Sequence, residues 1–200
     1  MVPFNRFTVV LDACTLFPML VRDVLLTLAD HELFNPRWSP RIRDEWTRNL
    51  TTRLMAKASS PEAPSQVSRI AAAVDRAFPD ACLAVELAES ENVAAVHPKD
   101  RHVVMTALAA QADAIITFNL SDFAAPYLRD SLQIEVIHPD DFIMDLVDLN
   151  EKPAIAAFRE LRDRKKRPPW DVPELVRRLR EAGLVQTSLW VAADDVAALI

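Results

Sequence analysis

Glycine is almost missing: Gly183 is the only one in 200 residues. A Walker loop and a dinucleotide fingerprint each need several glycines to bring backbone close to phosphate, so nucleotide enzymes of those types are excluded. The G-x-S-x-G elbow of serine hydrolases is missing too. Cysteine is scarce. Cys14 and Cys82 are the only two, without metal-ligand spacing. That argues against a disulfide framework or a zinc cage and for a reducing, cytoplasmic setting. Half the residues are hydrophobic, yet no apolar run approaches the roughly 20 residues of a membrane helix. No membrane partner is expected. The N-terminus lacks a basic stretch followed by a long apolar one, so no secretory signal is expected.

Positive charge is short as well. The formal net charge is −6, and it is uneven: residues 151–200 carry ten Lys/Arg against eight Asp/Glu, so residues 1–150 carry a net −8. An acidic body is not the footprint of a generic nucleic-acid binder. It suits a cluster of carboxylates that awaits a cation. Two hundred residues suffice for one domain with an appendage. The expected division is a domain over 1–150 and a helical extension with a basic segment over 151–200.

The pattern that is present alternates strand and helix, as in a parallel α/β sheet. "FTVVL", Phe7 to Leu11, has no period-2 alternation and reads as a strand covered on both faces. "TLFPMLVRDVLLTLADHEL" follows as a helix with Pro18 in its first turn. "LFNPRW" is a short strand weakened by Pro36, and "SPRIRDEWTRNLTTRLMAK" is a helix with Ser39 as N-cap, Pro40 at N1 and a stripe of Ile42, Trp46, Leu50 and Leu54. "SSPEAPS" reads as a loop, and "QVSRIAAAVDRAF" and "ACLAVELAES" as Ala-rich helices. "PKDRHVVMTALAAQA" is a helix, "DAIITFN" and "LQIEVIHP" are strands, and "DDFIMDLVDLN" is a helix. Three helical segments then span Pro153–Lys165, Val172–Ala182 and Leu189–Leu199.

Four carboxylates fall at informative places, each with a plainer alternative. Asp12 ends the first strand, where α/β folds bind ligands, or it caps the next helix. Glu45 lies beside an apolar helix stripe, or it merely pairs with Arg41 and Arg48 at i−4 and i+3. Its neighbour Asp44 points about 100° away around the helix. Asp100 opens a helix, where the macrodipole favours any acid. Asp122 follows the "AIIT" strand, or caps the segment leading to Tyr127. In a right-handed parallel layout, the residues after two neighbouring strands meet at one sheet edge. Asp12, Asn119 and Asp122 would meet there, with Asp100 at the start of the helix that feeds the strand. Desolvated together, such carboxylates repel by several kcal/mol. A hard divalent cation, Mg²⁺ or Mn²⁺, is the natural compensation, and it can activate water at a phosphoryl group. The histidines form no ligand pair; His102, at a helix start, is a minor candidate for touching substrate. Thr117 is placed to hold a carboxylate through its hydroxyl.

The ordered set "VVLDAC", "RIRDEW", "HPKDRHVVMTALAAQADAIIT" and "TFNLSDF" resembles the PIN-domain ribonucleases, especially the VapC-type toxins of toxin–antitoxin pairs, over residues 7–145. The resemblance implies a PIN-like three-layer α/β/α sandwich around a parallel sheet. It implies a Mg²⁺- or Mn²⁺-dependent endoribonuclease leaving a 5′-phosphate and a 3′-hydroxyl, with Asp12, Glu45 and Asp100 in the site. The fourth position departs from the commoner pattern: Asn119 stands two residues after Thr117, and a carboxylate returns only at Asp122. RNA, a cognate antitoxin and a second copy of the chain are the implied partners. The run Arg164, Lys165, Lys166 and Arg167, stiffened by Pro168-Pro169, is the expected RNA-backbone contact. Two rival readings use the same residues: a catalytically weak PIN-fold binding or scaffold protein, and a phosphatase or DNA nuclease.

Overall fold

The computed structural model describes residues 7–58, 62–84 and 93–200. The chain divides into two compact units. One takes in Thr8–Phe17 and Pro36–Val136, the other Pro18–Asn35 and Ile137–Ile200.

The first unit carries the sheet. Strand β1 (Thr8–Leu11) runs parallel to β3 (Ala114–Ile116), with Val9 opposite Ala114, Val10 opposite Ile115 and Leu11 opposite Ile116. With β2 (Asn35–Arg37) and β4 (Glu135–Ile137), the strand order is β2-β1-β3-β4. All six paired residues of the two inner strands are fully buried, as an unalternating apolar run requires. Each of the five Val, Leu and Ile side chains contributes about 1.5–3 kcal/mol of burial. β2 holds Pro36 at the edge of the sheet, where a missing N–H is tolerated. The ladder runs on past β1: the Asp12 N–H donates to the Ile116 carbonyl at 3.1 Å. Asp12 and Thr117 therefore stand side by side where the two inner strands end.

Helix α1 (Ala13–Leu16) follows at once, and helix α2 (Met19–Asp30) begins only after Pro18. A single helix with Pro18 in its first turn is thus corrected. Pro18 has ψ 119°, an extended conformation that separates the two helices. Helix α3 (Pro40–Ala58) starts as its sequence demands, with the Ile42 N–H donating to Ser39 Oγ at 3.4 Å. Its stripe buries Ile42, Trp46 and Leu50 and lies against α1, α4 (Ala63–Ala77) and α5 (Arg101–Ala110). α4 absorbs Ala63, Pro64 and Ser65 from the expected loop, because proline fits a first turn. The expected helix over 81–90 fails at its start. Trp38 donates to the Ala81 carbonyl and accepts from the Leu83 N–H, both at 2.9 Å, so Trp38 and Cys82 form a parallel bridge. Residues 85–90 of that expectation lie outside the described residues. After β3 come a 3-10 turn (Leu120–Phe123), a helical turn α6 (Ala125–Tyr127) and a π turn (Leu128–Leu132).

The second unit is helical: α2 with α7 (Pro139–Leu149), α8 (Glu151–Asp163), α9 (Val172–Glu181), α10 (Val185–Val191) and α11 (Asp194–Ala197). α2 packs on α8, and α10 packs on α9 and α7. Phe34 meets Phe142 edge-on at 5.0 Å, and Phe158 meets Trp190 at 5.3 Å. The expected helix Leu189–Leu199 is corrected at both ends. α10 starts four residues earlier because buried Asp140 accepts from the Gln186 and Thr187 N–H groups at 2.7 and 2.9 Å, capping it from α7. It ends at Val191, and α11 begins at Asp194. α7, expected in the first domain, groups with these helices.

Candidate functional site

Asp12 occupies the N-cap position of α1, yet its carboxylate makes no capping bond. Its backbone carbonyl accepts the ordinary first helical bonds, from the Thr15 N–H at 3.0 Å and the Leu16 N–H at 3.3 Å, and at 2.8 Å the Thr15 hydroxyl. The carboxylate is held from the other strand instead. Thr117 Oγ1 donates to Oδ2 at 2.8 Å, and the Cys14 thiol donates to the same oxygen at 3.0 Å. Both donors are themselves fixed: Thr117 Oγ1 accepts from the Asn119 N–H at 3.0 Å and Cys14 Sγ from the Phe118 N–H at 3.3 Å. Asp12 is 5% exposed, so it is buried, oriented and held through one oxygen only. Oδ1 accepts no hydrogen bond from the described residues. Burial, and then the Asp12 charge, push the Cys14 thiol up to about 12, so it stays a donor.

Asp100 stands at the N-cap position of α5, again without a side-chain cap bond. Burial first, and then the charges of Asp12 and Asp122, raise its carboxyl above the usual range. Asp12 and Asp122 therefore both act electrostatically on Asp100. Asp122 lies in the 3-10 turn, and its backbone carbonyl accepts from the His97 N–H at 3.1 Å, tying that turn to the segment before α5. Asn119 is exposed and enters the network through its backbone N–H.

Glu45 projects from α3 toward α5, where His102 Nε2 is 3.5 Å from Oε2. The facing imidazole lowers the Glu45 carboxyl below the usual range, with Arg48 and Arg41 adding smaller pulls. The local pairing with Arg41 or Arg48 is thus not its main contact. Those two arginines, with Lys99, Asp44 and Glu45, line a cleft of about 490 Å³. A second cleft, about 520 Å³ between α3 and α4, includes none of the four carboxylates. Cys14, the His102–Glu45 contact and this cationic cleft are what sequence reading missed. Each depends on side chains meeting across elements; the one available signal was the charge of Arg41 and Arg48 on the Glu45 helix.

The donor chemistry fits a hard divalent ion: oxygen ligands, net negative charge and no lysine or arginine paired with Asp12, Asp100 or Asp122 among the described residues. As they stand, no three His, Cys, Asp or Glu side chains of the described residues converge into a cage. Such a site suits an ion bound by few protein oxygens and several waters.

The basic run is not the free cluster that its sequence suggests. Arg164 pairs with Glu160 and lies 3.7 Å from Asp30. Lys165 pairs with Asp23 at 2.6 Å and sits 5.2 Å from the Trp170 ring centroid. Lys166 and Arg167 are exposed.

The PIN-domain family model matches residues 8–121, and a VapC50 C-terminal domain model matches residues 139–191. A Mycobacterium tuberculosis protein named "Putative ribonuclease VapC50" is 38% identical over 85 residues, 42% of this chain and 50% of that protein. The chain thus aligns with about half the length of that curated relative. No solved structure matches it significantly.

Proposed function

The chain belongs to the PIN-domain family, and from that premise we propose that it is a Mg²⁺- or Mn²⁺-dependent endoribonuclease, the toxin of a toxin–antitoxin pair. The observation that carries this reading is the Asp12 carboxylate, buried at the end of β1 and fixed through Oδ2 by Thr117 and Cys14 with Oδ1 left over. Asp12, Asp100, Asp122 and Glu45 would hold the ion. When bound, the ion supplies a nucleophilic water and offsets charge on the scissile phosphate. Thr117 and Cys14 keep Asp12 in one orientation, so little reorganisation is needed when the site fills. Asp122 is the better fourth carboxylate, because its charge acts on Asp100 while Asn119 is engaged through its backbone. Arg41, Arg48 and Lys99 supply phosphate contacts along the cleft beside Glu45. Lys166 and Arg167 are the remaining candidates of the basic run.

The relative named a ribonuclease favours RNA over DNA or small phosphate esters as substrate. With an RNA substrate and a protein antitoxin, the chain would act in the cytoplasm. No helix of the described residues is long and apolar enough to cross a membrane. The purified protein should cleave RNA with Mn²⁺ and stop with EDTA, and Asp12→Asn should abolish cleavage while leaving the fold intact. Equal cleavage by Asp12→Asn and wild type would overturn the site. One alternative is a catalytically weak RNA-binding protein. RNA binding without cleavage at any Mn²⁺ concentration would select it.

A further inference from the structure

The cleft of about 520 Å³ between α3 and α4 has no part in the reading above. It shares Asp44 and Arg48 with the cleft beside Glu45, so the two adjoin along α3. Asp44, Thr47, Arg48 and Thr51 recur at i, i+3, i+4 and i+7 and make one helix face. From Glu45 to Thr52 the helix axis advances about 10 Å. The furrow therefore leads away from the candidate site, within the unit that bears the sheet.

Its lining is selective in hydrogen bonding. Thr47 Oγ1 donates to the Asp44 carbonyl at 3.1 Å, Thr51 Oγ1 to the Thr47 carbonyl at 2.8 Å, and Thr52 Oγ1 to the Arg48 carbonyl at 3.0 Å. Each hydroxyl hydrogen is taken by the helix, and each oxygen keeps a lone pair for a ligand. Ser68 adds a fourth hydroxyl from α4, and Val67 and Ala71 add buried apolar surface. Arg43 is engaged by Asp75, through Nε at 3.1 Å and Nη2 at 2.6 Å. Arg48, which is exposed, stands where the two clefts meet. A phosphate offers only acceptors and gains nothing from the three threonines. RNA carries a donor on every ribose, its 2′-hydroxyl, and DNA lacks it.

We propose that the α3–α4 cleft is a subsite for the strand running out of the candidate site, and that Thr47, Thr51 and Thr52 select RNA over DNA by accepting from its 2′-hydroxyl groups. The inference rests on the reading of the chain as an endoribonuclease and names residues that make its substrate RNA. Arg48 takes a backbone phosphate at the junction, and Val67 and Ala71 pack against the sugar. The competing occupant of the cleft is a protein partner.

The test uses the full chain carrying Asp12→Asn, so that the strand stays whole. Its affinities for a single-stranded RNA and for the DNA of the same sequence are measured with and without Thr47→Val, Thr51→Val and Thr52→Val. Valine keeps the shape and removes the acceptor. The RNA-to-DNA affinity ratio should fall about fivefold or more, the worth of one hydrogen bond. The salt slope should not change, because no phosphate contact is lost. If the triple variant does not fold, the Asp12→Asn protein is tested against RNAs with one 2′-deoxy nucleotide moved along the strand. Affinity should then drop at positions beside the cleavage point. An unchanged ratio, or a scan without such positions, would overturn the proposal in favour of a protein occupant. Wild-type cleavage of RNA with Mn²⁺ would in that case leave the nuclease reading intact. Neither cleavage nor binding of RNA would overturn both.

Discussion

At the residue scale, Asp12 shows how far one sequence can be read. A carboxylate after an unalternating apolar run had two readings, helix cap or functional group. The carboxylate caps nothing, and Thr117 and Cys14 take it. Its position at a buried strand end was legible, because it follows from periodicity. The partners were not all so: the hydroxyl of Thr117 was anticipated, the thiol of Cys14 was not. Glu45's contact with His102 was not legible, since His102 reaches it only through the packing of α3 on α5. Asp100 carries a pH prediction. Burial and the charges of Asp12 and Asp122 raise its folded carboxyl pKa above the unfolded value of about 3.9. A carboxyl with a raised folded pKa opposes folding when it ionises. The penalty is absent below the unfolded pKa and grows as pH rises through the folded one. Metal-free Asp100→Asn should therefore gain on wild type as pH is raised from 4 to 7. A higher Tm for Asp100→Asn at pH 7 is expected, with a smaller difference at pH 4. Thermal melts in EDTA at both pH values check it, and a Tm difference that does not widen with pH would refute the raised Asp100 carboxyl.

At the scale of elements, local signals worked where the chain settles its own hydrogen bonds. Ser39 and Pro40 open α3 as their chemistry demands, and the i, i+4 stripe is the buried face. They failed where a distant group decides. Residues 81–83 look helical by composition, but Trp38 takes their backbone groups into a bridge. The start of α10 is set by Asp140, more than forty residues upstream. Scarcity of glycine also leaves a mark on the elements. Glu32, Gln111, Ala124 and Gln133 all adopt positive φ, a conformation that costs an L-residue about 1–2 kcal/mol and glycine almost nothing. Gln111 ends α5 with φ 49° and ψ 46°, its N–H donating back into the last turn. Its side chain is exposed, so little packing is lost on removing it. Gln111→Gly should stabilise the protein by about 1 kcal/mol, read as a higher urea midpoint with unchanged m-value. A lower midpoint would show that the Gln111 side chain matters or that the backbone there is unstrained.

At the scale of the whole molecule, chain order gave the α/β alternation but not the grouping of elements. The helical unit joins Pro18–Asn35 to Ile137–Ile200, because α2 packs on α8, and no linear boundary expresses that. Charge follows the same rule. The run Arg164–Arg167 contains no acid, but Glu160, Asp30 and Asp23 reach it in the fold and engage Arg164 and Lys165. With a formal net charge of −6, the protein would need local cations to meet the proposed RNA substrate. Arg41, Arg48 and Lys99 provide them beside Glu45, on the unit that bears the carboxylates. Each phosphate neutralised on a single strand releases about 0.7 counterion. Three contacts therefore contribute about 2 to the slope of log affinity against log salt. RNA binding is measured in the Asp12→Asn background, so that the strand stays whole. There, replacing Arg41, Arg48 and Lys99 by Gln should weaken binding and flatten that slope by about 2. Replacing Lys166 and Arg167 should flatten it by no more than about 1.4, since only two charges are removed. An unchanged slope in the cleft variant, with a flattened one in the Lys166 and Arg167 variant, would move the RNA path off the cleft and onto the basic run.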